Sequence, residues 1–235
     1  MKKPSSKGGS TNRPLKTRVK TAKGRKISST LWLERQLNDP YVKQAKAAGY
    51  RSRAAFKLIE IDDKYHLLKP GQKVVDLGAA PGGWTQVAVE RTKSMPDKPN
   101  VMGIDILEMD AIAGSLLAQI DFNNDSAPAT IKDMLDGMAD VVLSDIGPNT
   151  TGHTATDHIR IMALAELAYD FAKEVLKPGG AFACKVWQGG TEKELLNDIK
   201  KHFAKVAHFK PKSSRKDSAE IYLVATGFRV TKTGN

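Results

Sequence analysis

Only one cysteine, Cys184, occurs in the 235-residue chain. A lone thiol excludes an internal disulfide framework, and a reducing, cytoplasmic location is the expectation. Equally absent is any apolar run approaching the roughly twenty residues that cross a bilayer, so no membrane partner is expected. The N-terminus is rich in lysine, yet it has neither the contiguous apolar segment nor the small-residue cleavage site of a secretory signal. Metal-ligand patterns are missing as well. His153 and His158 stand five apart with no further ligand pair and with Cys184 remote, so no metal is expected. There is no internal repeat, no Gly-Lys-Ser/Thr ending of a phosphate-binding loop and no G-x-G-x-x-G spacing of a dinucleotide site. ATP and NAD are therefore disfavoured as ligands.

Acidic residues are missing from the first twenty-six positions, where Lys2, Lys3, Lys7, Arg13, Lys16, Arg18, Lys20, Lys23, Arg25 and Lys26 supply ten of the charges behind a net +11. Mixed with Ser, Thr, Gly and Pro, residues 1–28 read as a disordered basic arm that cannot bury enough surface to offset the entropy of ordering. Such an arm suits a polyanion. Residues 29–235 form the expected single domain, since the 40% hydrophobic content of the chain suffices for one core. No dimerisation signal stands out, and a monomer is expected.

Between Ser29 and Gly49 two short helices are expected, divided at Asn38-Asp39-Pro40, where proline can open the second. Ser52 is the expected cap of a third, carrying Ala55, Phe56, Leu58, Ile59 and Ile61 to about Tyr65 and bearing Lys57. After Lys69-Pro70-Gly71 the pattern becomes strand, loop, helix, repeated. Strands are expected at Lys73–Leu77, Val101–Asp105, Leu116–Asp121, Asp140–Asp145, Ala181–Val186, Val206–Phe209 and Ile221–Thr226, with helices at Thr85–Arg91, Asp157–Leu176 and Glu192–Phe203. Apolar strands alternating with helices predict an α/β fold whose mostly parallel sheet is covered on both faces.

Ligands of open parallel sheets bind beyond the carboxyl ends of the strands. The run Asp76-Leu77-Gly78-Ala79-Ala80-Pro81-Gly82-Gly83-Trp84 lies at such an end. Its glycines permit tight turning and close backbone approach, and the helix start after them offers unpaired N–H groups. Asp105, twenty-two residues after Gly83, ends the next strand, where an acid can accept from both hydroxyls of a ribose. Asp121, before Phe122, can accept from an adenine amino group. A ribose and adenine site without a strong phosphate cradle suits S-adenosylmethionine, with S-adenosylhomocysteine as product.

A second polar set asks for a reaction. Asp145 ends an apolar strand ahead of Ile146-Gly147-Pro148-Asn149, and Lys185 interrupts the apolar run Phe182-Ala183-Cys184-Lys185-Val186-Trp187. A lysine there must be partnered or work uncharged. A ribose hydroxyl is a poor nucleophile that needs orientation and loss of its proton. Neutral Lys185 suits that task, although holding a lysine neutral near pH 7 takes about 4 kcal/mol. Lys57 and Asp145 are its expected neighbours, with Glu220 holding one of the two lysines. Arg51, Arg53, Lys210, Lys212, Arg215 and Lys216 flank this set in sequence and are candidates for gripping phosphates. Trp84, Phe122, Trp187 and Cys184 read by default as packing residues, and His153 as a solvated loop residue.

Taken together, Arg51-Ser52-Arg53-Ala54-Ala55-Phe56-Lys57-Leu58, the run Val75 to Trp84, Ser144-Asp145-Ile146-Gly147-Pro148-Asn149, Lys185-Val186-Trp187-Gln188-Gly189, and Lys210 to Arg215 with Glu220-Ile221-Tyr222 closely resemble the bacterial FtsJ/RrmJ family. These are 23S ribosomal RNA (uridine-2′-O-)-ribose methyltransferases, and the resemblance spans roughly Ser29 to Arg229. It implies a Rossmann-like methyltransferase fold with a seven-stranded sheet whose last strand is antiparallel. It implies a catalytic tetrad on Lys57, Asp145, Lys185 and Glu220, with Lys185 the proton acceptor, and cofactor binding by Gly82, Trp84, Asp105, Asp121 and Asp145. The implied substrate is a uridine of the peptidyl-transferase A-loop within the large ribosomal subunit, late in assembly. Gly147 and Thr150-Thr151 depart from the family's common Ala and Met-Ser, and Thr92 to Asn100 is longer than usual. The residues leave room for another RNA ribose, such as one in a tRNA loop, or for an RNA-binding assembly factor that has kept the fold.

Overall fold

The computed structural model describes residues 27–121, 123–148, 151–188 and 192–230, with the side chains of Ser28, Trp32 and Glu192 left undescribed. The basic residues from Lys2 to Lys26, Phe122, Asn149, Thr150 and Gly189 lie outside that set. Three helices open the chain, α1 (Ile27–Asn38), α2 (Pro40–Ala47) and α3 (Ala55–Tyr65). Asp39 caps α2 by accepting from the Tyr41 N–H, with Pro40 in the first turn where its missing N–H costs nothing. Helix α1 starts at Ile27, two residues before the expected domain boundary. Ser52 does not cap α3. Ala54 holds that position without a side-chain hydrogen bond, while Ala55, Leu58 and Ile61 form the buried stripe.

The alternating segment then follows: β1 (Val74–Leu77), α4 (Gly83–Thr92), β2 (Val101–Asp105), β3 (Ser115–Gln119), α5 (Ala127–Met134), β4 (Ala139–Ser144), α6 (Thr154–Val175), β5 (Leu176–Trp187), α7 (Glu192–His202), β6 (Phe203–Phe209) and β7 (Glu220–Phe228). Among these residues seven strands make one sheet in the order β3-β2-β1-β4-β5-β7-β6. Its pairs are parallel up to β5, and β7 is antiparallel to both β5 and β6. The order reverses between β1 and β4, and this is where an open sheet leaves a crevice at its carboxyl edge. Helix α5 was not expected from the sequence. Strand β5 begins at Leu176 rather than Ala181, joining β4 through a register shift between Ala139 and Val141.

Side-chain alternation divides the core in two. Val75, Leu77, Val142, Phe182, Cys184 and Leu223 pack with α5, α6 and α7, whereas Val74, Val141, Leu143, Ala183, Tyr222 and Val224 pack with α3 and α4. Each fully buried Val, Leu or Phe contributes about 1.5–3 kcal/mol from its burial.

Candidate active site

The site follows from the same alternation. On the α3 side of the sheet, the rows read Val74 then Asp76 in β1, Val141 and Leu143 then Asp145 after β4, and Ala181 and Ala183 then Lys185 and Trp187 in β5. Antiparallel β7 reads in reverse, Val224 and Tyr222 then Glu220. Register aligns the change from apolar to polar, since Ser144 pairs with Cys184, Lys185 with Tyr222 and Trp187 with Glu220. Apolar residues anchor the middle of each strand, and the carboxyl edge carries chemistry. Lys57, one turn into α3, meets this edge from above.

Lys57 Nζ donates to Glu220 Oε2 at 2.9 Å and lies 3.5 Å from Asp145 Oδ2. Lys185 Nζ donates to the main-chain oxygen of Asp145 at 2.8 Å and lies 3.2 Å from its Oδ1. The structure thus brings all four expected tetrad residues together, with Asp145 between the two lysines and Glu220 paired to Lys57. Each of these four side chains is 12–14% exposed, open enough for a substrate yet largely shielded from water. Two further residues support them. Tyr222 donates its hydroxyl to Asp145 Oδ1 at 2.6 Å, and Ser214 donates to Glu220 Oε1 at 2.8 Å. The Tyr222 ring also stands 5.5 Å from Lys57 Nζ and 5.6 Å from the Trp84 ring.

Electrostatics separates the roles of these groups. Burial favours the neutral form of Lys57, but the carboxylates of Asp145 and Glu220 outweigh it and raise the ammonium above its ordinary value. Lys57 is a fixed cation. Burial likewise disfavours ionised Asp145, yet Lys185, Lys57 and the Tyr222 hydroxyl bring its carboxyl below the ordinary range. Burial, then the charge of Asp145, holds the Tyr222 phenol well above its usual value, so it stays a donor.

The loop after β1 forms the neighbouring half of the site. A cavity of about 160 Å³ is lined by Ser52, Asp76, Gly78, Gly83, Trp84 and Asp145, among others. Glycine is required at Gly78, and the space at Gly83 is tight unless the Ser52 hydroxyl turns away. A Cβ on Gly78, at φ +70°, would stand 2.3 Å from Ile146 Cγ1, and one on Gly83 would stand 2.3 Å from Ser52 Oγ. Trp84 donates its indole N–H to the Ala54 carbonyl at 2.8 Å, tying the loop to the start of α3. Of three buried side-chain polar atoms without a hydrogen-bond partner among the described residues, Ser52 Oγ and Asp76 Oδ1 belong to the cavity lining and Ser213 Oγ lies elsewhere. Burial lifts the Asp76 carboxyl to about 7, although Thr85 donates to its other oxygen at 2.7 Å.

The remaining expected cofactor residues lie outside that lining. Gly82, at φ +110°, is the residue before α4, and a Cβ there would meet Ile112 and Arg51. Asp105 accepts from the N–H groups of Ala80 and Leu107, each at 2.9 Å, and so braces the glycine loop. Asp121 stands exposed, two residues beyond the end of β3, and accepts from the Asn123 N–H at 3.0 Å. Several cations expected to grip phosphates are engaged internally. Arg51 donates to the carbonyls of Asp110 and Ala111 at 2.7 Å each, Arg53 to Asp39 and the Ser213 carbonyl, and Lys210 to the Ser218 carbonyl at 2.5 Å. Arg215 lies 3.7 Å from Asp39, while Lys212 and Lys216 are exposed. His153 is exposed too, but it caps α6 by accepting from the Thr156 N–H. Tyr222 and Ser214 had no assigned role in the sequence, whereas Asp76 was expected there as the strand-end residue that opens the glycine loop. The alternation of β7 from Glu220 was the available signal for Tyr222.

Among the described residues no group of three His, Cys, Asp or Glu could hold a metal ion, and no helix is long and apolar enough to cross a membrane.

The sheet order, with its antiparallel β7 and a glycine loop at the point of reversal, defines the Rossmann-like methyltransferase fold. Residues 50–228 match the FtsJ-like methyltransferase model, and the chain belongs to that family. It is 61% identical to the ribosomal RNA large subunit methyltransferase E of Paramagnetospirillum magneticum, covering 94% of this chain and 91% of that one. The protein of the same name from Azorhizobium caulinodans is 60% identical, over 92% of this chain and 90% of its own length. A crystal structure described as a ribosomal RNA methyltransferase from Plasmodium falciparum superposes with a TM-score of 0.67 at 35% identity, covering 76% of this chain and 98% of that one.

Proposed function

We propose that the chain transfers the methyl group of S-adenosylmethionine to a ribose 2′-hydroxyl of 23S rRNA, on a uridine of the peptidyl-transferase A-loop, late in assembly of the large ribosomal subunit. The relatives' shared name supports a large-subunit rRNA substrate. The observation that carries the reading is the cluster of Lys57, Asp145, Lys185 and Glu220, set beside the glycine-loop cavity with Asp145 common to both.

The cavity fits the amino-acid end of the cofactor. Two carboxylates, Asp76 and Asp145, together with an unpartnered hydroxyl and carboxyl oxygen, suit a ligand with cationic centres and groups that need hydrogen bonds. Trp84, Asp145 and Gly82 would hold that end, with Asp105 and Asp121 toward its ribose and adenine. When bound, S-adenosylmethionine supplies an electrophilic methyl and leaves as S-adenosylhomocysteine.

Lys185 is the proton acceptor. Lys57 is kept charged by two carboxylates, whereas Lys185 has one carboxylate and a main-chain carbonyl as partners. Asp145, fixed by Tyr222 and Lys57, orients the Lys185 nitrogen, and Glu220 keeps Lys57 in place. Removing the hydroxyl proton as the oxygen attacks is general-base catalysis, worth typically 10²–10⁴-fold. The remaining fidelity comes from holding the hydroxyl in line. In this reading the domain at 29–235 acts as a monomer in the cytoplasm without a membrane or metal, and residues 1–28 are a basic RNA-binding arm.

The test is incubation of undermethylated large subunits, and separately of free rRNA, with labelled S-adenosylmethionine, followed by mapping of the label. A 2′-O-methyl on one A-loop uridine is expected. Label on a base atom, on another RNA, or on none refutes the reading.

A further inference from the structure

Trp187 is the last residue of β5 and is partly exposed. It belongs to neither of the two apolar clusters found among the described residues, not even among the half-buried side chains packed against them. Trp84, by contrast, is 3% exposed, with its ring against Tyr222 and its indole N–H bonded to the Ala54 carbonyl. Among the described residues the large aromatic surface of Trp187, at the mouth of the site, is not used by the core.

Its position is set by strand geometry. Strand alternation puts Trp187 in the row of Lys185, two residues and about 7 Å further toward the open edge, and its ring reaches across that edge toward α6. It lies directly opposite Glu220 in the antiparallel ladder. Its ring stands 6.5 Å from that of His158, in the first turns of α6, at an interplanar angle of 49°. On the other flank of the tetrad an opening of about 190 Å³ is lined by Arg53, Lys57, Arg215, Ser218 and Glu220. Lys185 and its neighbours therefore stand between a flank of paired charges, where Asp39 and Glu220 meet Arg53, Arg215 and Lys57, and an aromatic one.

We infer that Trp187, edged by His158, is a stacking platform for a base of the RNA strand beside the acceptor ribose. The inference rests on the proposed function. A ribose hydroxyl reaches a lysine at the bottom of such a mouth only when its nucleotide leaves its own stack, and the base then needs another surface. An indole face supplies it without regard to base identity.

Three variants, Trp187→Ala, Trp187→Leu and Trp187→Phe, test the platform in the full-length chain with undermethylated large subunits as substrate. Calorimetric titration with S-adenosylmethionine and thermal melting accompany the kinetics. Loss of one base stack raises the KM for subunits roughly 5- to 100-fold in the alanine variant, with a smaller loss in kcat and unchanged cofactor affinity. Phenylalanine should restore most of the KM, and leucine, which is apolar but lacks a π face, should not. An unchanged KM in Trp187→Ala, equal rescue by leucine and phenylalanine, or a loss confined to cofactor affinity overturns the inference. If the wild-type chain is inert on subunits, the functional reading itself fails, and the platform fails with it; an active wild type with a normal alanine variant removes the platform alone.

Discussion

Asp76 sits buried at the carboxyl end of β1, with one oxygen bonded to Thr85 and the other without a partner among the described residues. Burial, joined by the charges of Asp145 and Asp105, moves its carboxyl from an ordinary 3.8 to about 7. In the unfolded chain the proton leaves near 3.8; in the native chain it stays until about pH 7. Native protein thus binds the extra proton across this window, so stability falls as pH rises through it and levels off above 7. At about 1.4 kcal/mol per pH unit, the cost above pH 7 is about 4 kcal/mol. Asparagine mimics the protonated acid and can still accept from Thr85. Asp76→Asn should therefore melt higher than wild type at pH 8, by on the order of 10 °C for a domain of this size. The gap should narrow steadily toward pH 4. Saturating S-adenosylmethionine should stabilise wild type more than the variant, because a cationic ligand beside Asp76 offsets the same cost. Calorimetric melting from pH 4 to 8.5 measures all of this. A gap that does not change with pH, or a variant that melts lower at pH 8, refutes the reasoning.

Lys185→Ala should lower the single-turnover methyl-transfer rate at least 100-fold while calorimetric affinity for S-adenosylmethionine stays within a few-fold, since the lysine does not line the glycine-loop cavity. Tyr222→Phe removes the hydroxyl bonded to Asp145 and should cost about 1–3 kcal/mol in unfolding free energy by denaturant melts, with a measurable loss of rate. RNA binding should weaken steeply with salt in filter-binding assays, and deletion of residues 1–26, which hold ten positive charges, should flatten that slope while sparing chemistry at saturating RNA. Burial drives the Cys184 thiol far above its ordinary value, so a thiol reagent at pH 8 should modify it only on unfolding.

Most of the sheet was legible because each strand is a short apolar run between turn residues, and the seven strands fall close to where they were expected. Ala127–Met134 escaped notice because Ala127, Pro128 and Ile131 make its buried face too small for a clear period, and its N-cap makes no side-chain bond. The Leu176 start of β5 was hidden by Lys177-Pro178-Gly179-Gly180, which reads as a turn. Asp145 and Lys185 were legible as polar residues ending or interrupting apolar strands, whereas the full tetrad with Lys57 and Glu220 came from the family resemblance. Which carboxylate holds which lysine was not legible, since that depends on where the fold sets Lys57 of α3 against Glu220 and Asp145. Arg51 and Arg53 read as phosphate-gripping cations from sequence, but their partners at Asp110, Ala111, Asp39 and Ser213 are remote along the chain and could be known only from the fold.

The Trp84 bond to the Ala54 carbonyl fixes more than the glycine loop. It clamps the start of α3 three residues before Lys57, and a helix turns 100° per residue. One residue inserted or deleted between Ala54 and Lys57 would swing the ammonium a quarter-turn or more away from Glu220 and Asp145, whatever residue were used. The spacing between these two positions is therefore as much a determinant of activity as the lysine itself, and a shift in length there cannot be compensated by any substitution at the site.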